Sequence, residues 1–113
     1  MAFIDQALLQ SKEVFPGYVA KMIHTETMTL VYWSISAGAA IPEHHHLNEH
    51  VTHVLEGSFV LVIDGESKEL EPGIVAVIPS GVKHYGHAVT DCLMLDVFSP
   101  VRSDYVSIMN IEN

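Results

Sequence analysis

The chain has 113 residues, 49% of them apolar, which is enough for one core and a single domain over 1–113. Its formal charge is −9, with five Lys and Arg against fourteen Asp and Glu. That balance argues against nucleic acid, whose phosphates need clustered cations, and against an anionic membrane surface.

In chain order, residues 5–13 are expected to form a helical turn or two, with Ala7, Leu8 and Leu9 as the apolar side, ended by Pro16-Gly17. Tyr18 to Ile23 reads as a strand. Met28 to Ile35 is rich in Thr, Val, Tyr, Trp and Ile, which suit a pleated, half-buried surface. Gly38 and Pro42 punctuate. Val51 to Leu55 and Ser58 to Ile63 flank a turn at Glu56-Gly57. Asp64-Gly65 then predicts a hairpin into Glu66 to Leu70, because both turn positions need φ > 0. After Glu71-Pro72-Gly73, the run Gly73 to Ile78 is continuously apolar, as in a buried strand. Pro79-Ser80-Gly81 turns again, and Cys92 to Phe98 is the last clear strand. The tail from Ser103 to Asn113 shows no pattern. Short, evenly spaced strands with turn residues between them predict an all-β sandwich or barrel.

The single cysteine, Cys92, permits no intramolecular disulfide and is expected to be a buried structural thiol. The first residues lack a basic segment followed by an apolar run, so no signal peptide is read. No stretch approaches the ~18–20 apolar residues of a membrane span. The expected address is the cytoplasm.

Of the eight histidines, His44, His45, His46, His50 and His53 fall within one short stretch. On a strand, alternate side chains share a face, so His44 and His46 would stand roughly 7 Å apart on one side and His45 on the other. Two imidazoles so placed can converge on one ion, each nitrogen at about 2.0–2.1 Å. His50 shares their parity. A solvated His-rich loop is the alternative for this stretch taken alone, and Glu49 competes with His50 as a ligand. His53 is expected to line the cavity or sit in the barrel wall. His87 is expected to support a ligand or lie on the surface. His24 carries no signal.

The spacing now supports a family resemblance. Gly38, five residues, His44-x-His46, three residues, His50, six residues and Gly57 resembles the first cupin motif. Gly73, five residues, Pro79-x-Gly81, two residues and His84 resembles the second, over 73–88. The resemblance implies a cupin fold, a double-stranded β-helix or jelly-roll barrel. It also implies one divalent transition metal (Ni, Zn, Fe, Co, Cu or Mn) on His44, His46, His50 and His84. Two positions depart from the family pattern: His50 stands where Glu or Gln is usual, and Ala88 where Asn is usual. Four neutral imidazoles would leave the ion's charge uncompensated, which suits transition metals more than Mg or Ca.

The last strand adds Asp96 in an otherwise apolar run, a carboxylate that is costly to bury without partners. Arg102 is the chain's only arginine, and a guanidinium grips a carboxylate through two parallel hydrogen bonds. The bland alternative is a structural Asp96–Arg102 ion pair at the rim. Leu95-Asp96-Val97-Phe98-Ser99-Pro100-Val101-Arg102-Ser103-Asp104-Tyr105 resembles the end of one group of small cupins. That group linearises 4,5-unsaturated monouronates during pectin and alginate breakdown. The resemblance implies a small sugar-acid substrate and a homodimer, with Ala2 to Ile4 free to join a partner's sheet edge. It also implies an active site of Asp96, Phe98 and Arg102; His53, if it lines the cavity, is a further candidate substrate contact. An Fe-dependent dioxygenase and a non-catalytic sugar- or effector-binding cupin are the competing functions.

Overall fold

The computed structural model describes residues 2–109 as ten strands followed by one helix. The strands are β1 (Ser11–Phe15), β2 (Tyr18–His24), β3 (Thr29–Ile35), β4 (Ala40–His44) and β5 (Glu49–Glu56). They continue with β6 (Phe59–Ile63), β7 (Glu66–Leu70), β8 (Val75–Ile78), β9 (His84–Ala88) and β10 (Cys92–Ser99), and α1 spans Ser103–Met109. All pairings are antiparallel. One sheet runs β1-β2-β3-β10-β5-β8 and the other β4-β9-β6-β7. The expected all-β cupin jelly roll is what forms.

Alternation places the core. On β3, Thr29, Val31, Trp33 and Ile35 are buried, and on β10, Cys92, Met94, Asp96 and Phe98 are buried. These strands pair directly, with Asp96 opposite Val31 and Phe98 opposite Thr29. The facing sheet supplies Phe59, Leu61 and Leu70. Trp33 meets Tyr18 and Tyr105 edge-on, with ring centroids 5.8 and 6.2 Å apart, and Phe98 meets Tyr105 at 5.7 Å. Edge-to-face rings of this kind stabilise beyond the area they bury. The Asp64-Gly65 turn forms as expected, with φ of 48° and 84°. Gly86 has a different reason to be glycine: a Cβ there would collide with the Val60 carbonyl and the Phe59 ring.

Four sequence expectations need correction. The predicted helix over 5–13 is one short 3-10 turn, Gln6–Leu8, with Ala7 N–H donating to the Asp5 carboxylate at 3.0 Å. Ser11–Phe15 is instead a strand, because Pro16-Gly17 makes a hairpin that pairs it with β2. Gly73–Ile78 is not continuously buried. β8 is an edge strand in which only Ile78 is buried and Val75 and Val77 face out. The tail, read as patternless, contains α1, with Tyr105, Ile108 and Met109 turned to the core at helical spacing. Finally, the strand expected to carry both His44 and His46 ends at His44 and leaves His46 in the loop beyond it, and His84–Ala88 forms a strand, β9, outside the expected ones.

Candidate metal centre and catalytic pocket

The histidines converge because of strand register. His44 at the end of β4 lies directly opposite His84 at the start of β9. His50 on β5 lies opposite Phe98 of β10 and Ile78 of β8. His46 sits in the short loop between β4 and β5. Ring centroids are 4.2 Å apart for His44 and His84, 5.0 Å for His46 and His84, and 5.7 Å for His44 and His46. One ligand atom each from His44, His46 and His84 lies within 4.8 Å of the others.

The tautomers suit a metal. His44 Nδ1 donates to Pro42 O at 3.0 Å, His46 Nδ1 to Asn48 O at 3.0 Å, and His84 Nδ1 to Val82 O at 2.9 Å. A carbonyl only accepts, so the proton sits on Nδ1 and each Nε2 keeps its lone pair. Nε2 of His46 and of His84 is buried without a hydrogen-bond partner. Burial pushes His44 below the ordinary imidazole range and takes His46 and His84 down to about 4. Three neutral imidazoles with inward lone pairs fit a divalent transition ion.

His50 stands beside this triad, with its ring 5.5 Å from His46 and 5.7 Å from His84. Alternation on β5 buries His50 and exposes Glu49, so the imidazole and not the carboxylate faces the centre. The His50 ring packs on Phe98 at 4.2 Å. Its Nε2 lies 3.1 Å from Asp96 Oδ1, near enough for charge attraction but not aligned as a hydrogen bond. The other oxygen, Asp96 Oδ2, accepts from Trp33 Nε1 at 2.9 Å. Burial pushes the Asp96 carboxyl up, but the neighbouring His50 and the Trp33 N–H outweigh it and hold the group below its usual range.

Arg102 completes the wall. Its guanidinium is bidentate to Asp104, at 3.0 and 2.7 Å, and lies 3.9 Å over the Tyr105 ring and 4.7 Å from the Phe98 centroid. The rim pair Asp96–Arg102 therefore does not form; Asp104 takes the guanidinium instead. The cavity opens to solvent, and its lining includes His44, His46, His50, His84, Asp96 and Arg102. His53 does not line it, because it shares the outward parity of Val51. His87 is exposed on β9, and His24 bonds Thr29 Oγ1 at 2.8 Å. Cys92 is buried, as expected.

Sequence reasoning missed Trp33, Asp104 and Tyr105 as supports of the site. Trp33 carried a usable signal, since an indole N–H on an inward strand position needs an acceptor. Asp104 and Tyr105 close the stretch from Leu95 that resembles the small-cupin ending, a resemblance that gave neither of them a role.

The fold and its histidine cluster define a cupin: the cupin domain pattern matches residues 31–98, and the chain belongs to that family. Within the family, it is similar to the pectin degradation protein KdgF of Dickeya dadantii, 29% identical over 84% of this chain and 89% of that protein. The solved structure of KdgF from Halomonas sp. superposes with a TM-score of 0.87 at 30% identity, covering 93% of this chain and 98% of that one. An RmlC-like cupin from Shewanella frigidimarina gives 0.88 at 26% identity, covering 93% and 96%.

Proposed function

We propose that this cupin is a metal-dependent isomerase that converts a cyclic 4,5-unsaturated monouronate to its linear keto form. The observation that carries the reading is the presence of Asp96 and Arg102 in one cavity with the histidine triad. Similarity to two KdgF proteins, one named for pectin degradation, supports the substrate class.

In this reading His44, His46 and His84 hold one divalent transition ion, and His50 is the fourth ligand. The ion, when bound, supplies a Lewis acid for the substrate oxygen on which charge develops. Arg102 binds the uronate carboxylate, held in place by Asp104 below it. Phe98 packs on the sugar face. Asp96 accepts and returns the proton that ring opening and tautomerisation move between oxygen and carbon, work typically worth ~10²–10⁴ in rate. No electron is gained or lost, so a redox-inert ion suffices.

The test follows the ultraviolet absorbance of the substrate's conjugated double bond, comparing metal-analysed protein with a chelated sample. Metal-dependent loss of absorbance faster than the spontaneous reaction is expected. No acceleration by the metal-loaded protein would reject the isomerase. Oxygen consumption with Fe(II) would then identify a dioxygenase, and ligand binding without turnover a sensor cupin.

A further inference from the structure

A buried hydroxyl or carboxylate oxygen normally has a hydrogen-bond partner, because leaving it unpaired costs free energy. Two neighbouring side chains break that rule inside the barrel. Thr52 on β5 lies directly opposite Asp96 on β10, and both turn inward. Thr52 is 2% exposed and Asp96 8%. Thr52 Oγ1 and Asp96 Oδ1 are buried and neither makes a hydrogen bond, although Trp33 satisfies the other carboxylate oxygen. His50 approaches Asp96 Oδ1 without the alignment of a hydrogen bond. Both Thr52 and Asp96 line the cavity that the histidine triad faces. Thr52 is one inward position beyond His50, and much of the remaining lining is apolar, including Ile35, Leu61, Ile78 and Met94. A valine would fill the place of Thr52 without an unpaired oxygen, so packing alone gives no reason for the hydroxyl.

We propose that Thr52 and the free oxygen of Asp96 form a subsite for one hydroxyl group of the ligand, and that Thr52 thereby sets specificity. The occupant follows from the donors and acceptors present. An ionised carboxylate only accepts, while a threonine hydroxyl can donate. A ligand hydroxyl donates to Asp96 Oδ1 and accepts from Thr52, so both unpaired atoms are satisfied at once. A ligand carboxylate would oppose the Asp96 charge, and a methylene would leave both atoms unpaired. A cation would share the cavity with Arg102. The position fits the sugar-acid reading given above, on which the identity of the occupant rests. Arg102 lies over Phe98, 4.7 Å from its centroid, and Phe98 is the next inward residue along β10 from Asp96. Two residues of extended chain separate them by roughly 6.6 Å. A six-membered ring resting on Phe98 with its carboxylate on Arg102 therefore carries its hydroxyls toward Asp96 and Thr52. Sites built to hydrogen-bond a hydroxyl reject analogues lacking it far more strongly than apolar pockets reject a changed methylene.

Paired calorimetric titrations of the full chain loaded with Zn(II) test this. One ligand is D-galacturonate, a saturated uronate. The other is cyclohexanecarboxylate, a ring of the same size with a carboxylate and no hydroxyl. The ratio of the two dissociation constants isolates the hydroxyl contribution, because effects on metal, carboxylate and fold are shared by both ligands. The wild type should favour the uronate. Thr52→Val should lower that preference about tenfold, and Thr52→Ser, which keeps the hydroxyl, should hold it. Arg102→Ala should weaken both ligands together and leave the ratio. If Thr52→Val does not fold, Thr52→Ala removes the same hydroxyl and should show the same tenfold drop. A wild type without preference for the uronate, or a folded Thr52→Val with the wild-type ratio, overturns the subsite. A structural water between Thr52 and Asp96 predicts that second result, together with a lower melting temperature. Turnover of the unsaturated monouronate is read separately. A tenfold change in ratio without turnover upholds the subsite and rejects the isomerase, whereas turnover with an unchanged ratio rejects the subsite alone.

Discussion

Trp33 and Asp96 share a hydrogen bond of 2.9 Å inside the barrel, and this bond turns the second carboxylate oxygen toward His50, 3.1 Å away. Trp33→Phe keeps an aromatic ring in place but removes the donor. A hydrogen bond to a charged group contributes about 1.5–3 kcal/mol, so Trp33→Phe should lower unfolding free energy by that order. It should also reduce kcat on an unsaturated uronate more than it changes KM. Asp96→Asn should reduce kcat by about 10²–10⁴. Denaturant melts and steady-state kinetics check both; unchanged kinetics in Asp96→Asn would remove it from the mechanism.

Arg102 is held by Asp104 through two bonds, at 3.0 and 2.7 Å. If it binds the substrate carboxylate, Arg102→Ala should raise KM about 10–100-fold with a smaller effect on kcat. Arg102→Lys should not restore KM, since an ammonium cannot form the paired contacts. Asp104→Asn should raise KM less, through a loosened guanidinium. Equal KM in all three variants would exclude the assignment.

Metal binding to the native chain should raise its melting temperature, because His44, His46 and His84 are assembled only when folded. At a free ion concentration of about 100 times Kd, the gain is about 2.7 kcal/mol. Scanning calorimetry with Zn or Ni, with and without chelator, reads it directly. His84→Ala should abolish the shift; a shift that survives would locate the ion elsewhere.

Cys92 donates its thiol to Ser58 O at 3.1 Å and Thr90 O at 3.3 Å, and burial pushes its pKa up. A raised pKa keeps the thiol protonated at mildly alkaline pH, and only the thiolate attacks disulfide reagents. At pH 8 the native protein should therefore react with a chromogenic disulfide much more slowly than the same protein in guanidinium. Equal rates would mean that the strand around Cys92 opens readily.

Much of this protein was legible along the chain. The spacing of His44, His46 and His84 named the residues that cluster, with His50 beside them, and the β-type runs with Asp64-Gly65 announced an antiparallel barrel. Those signals are local: a turn, a parity, an interval. Parity also separated His45 from His44 and His46, but it left His50 and Glu49 in competition until β5 was placed against β8 and β10.

What tertiary structure alone decided was which distant groups meet. Asp96 is bonded to Trp33, 63 residues earlier, and stands beside His50, contacts set by the register of β10 between β3 and β5. Arg102, just before α1, is held by Asp104 in the first turn of that helix rather than by Asp96 on β10. The apolar run at Gly73–Ile78 looked buried because composition cannot distinguish a central strand from an edge; only the sheet order exposes Val75 and Val77. Local sequence determined strands, turns and ligand spacing, since these depend on neighbours in the chain. Partners across the barrel depend on register and closure, which no interval along the chain records.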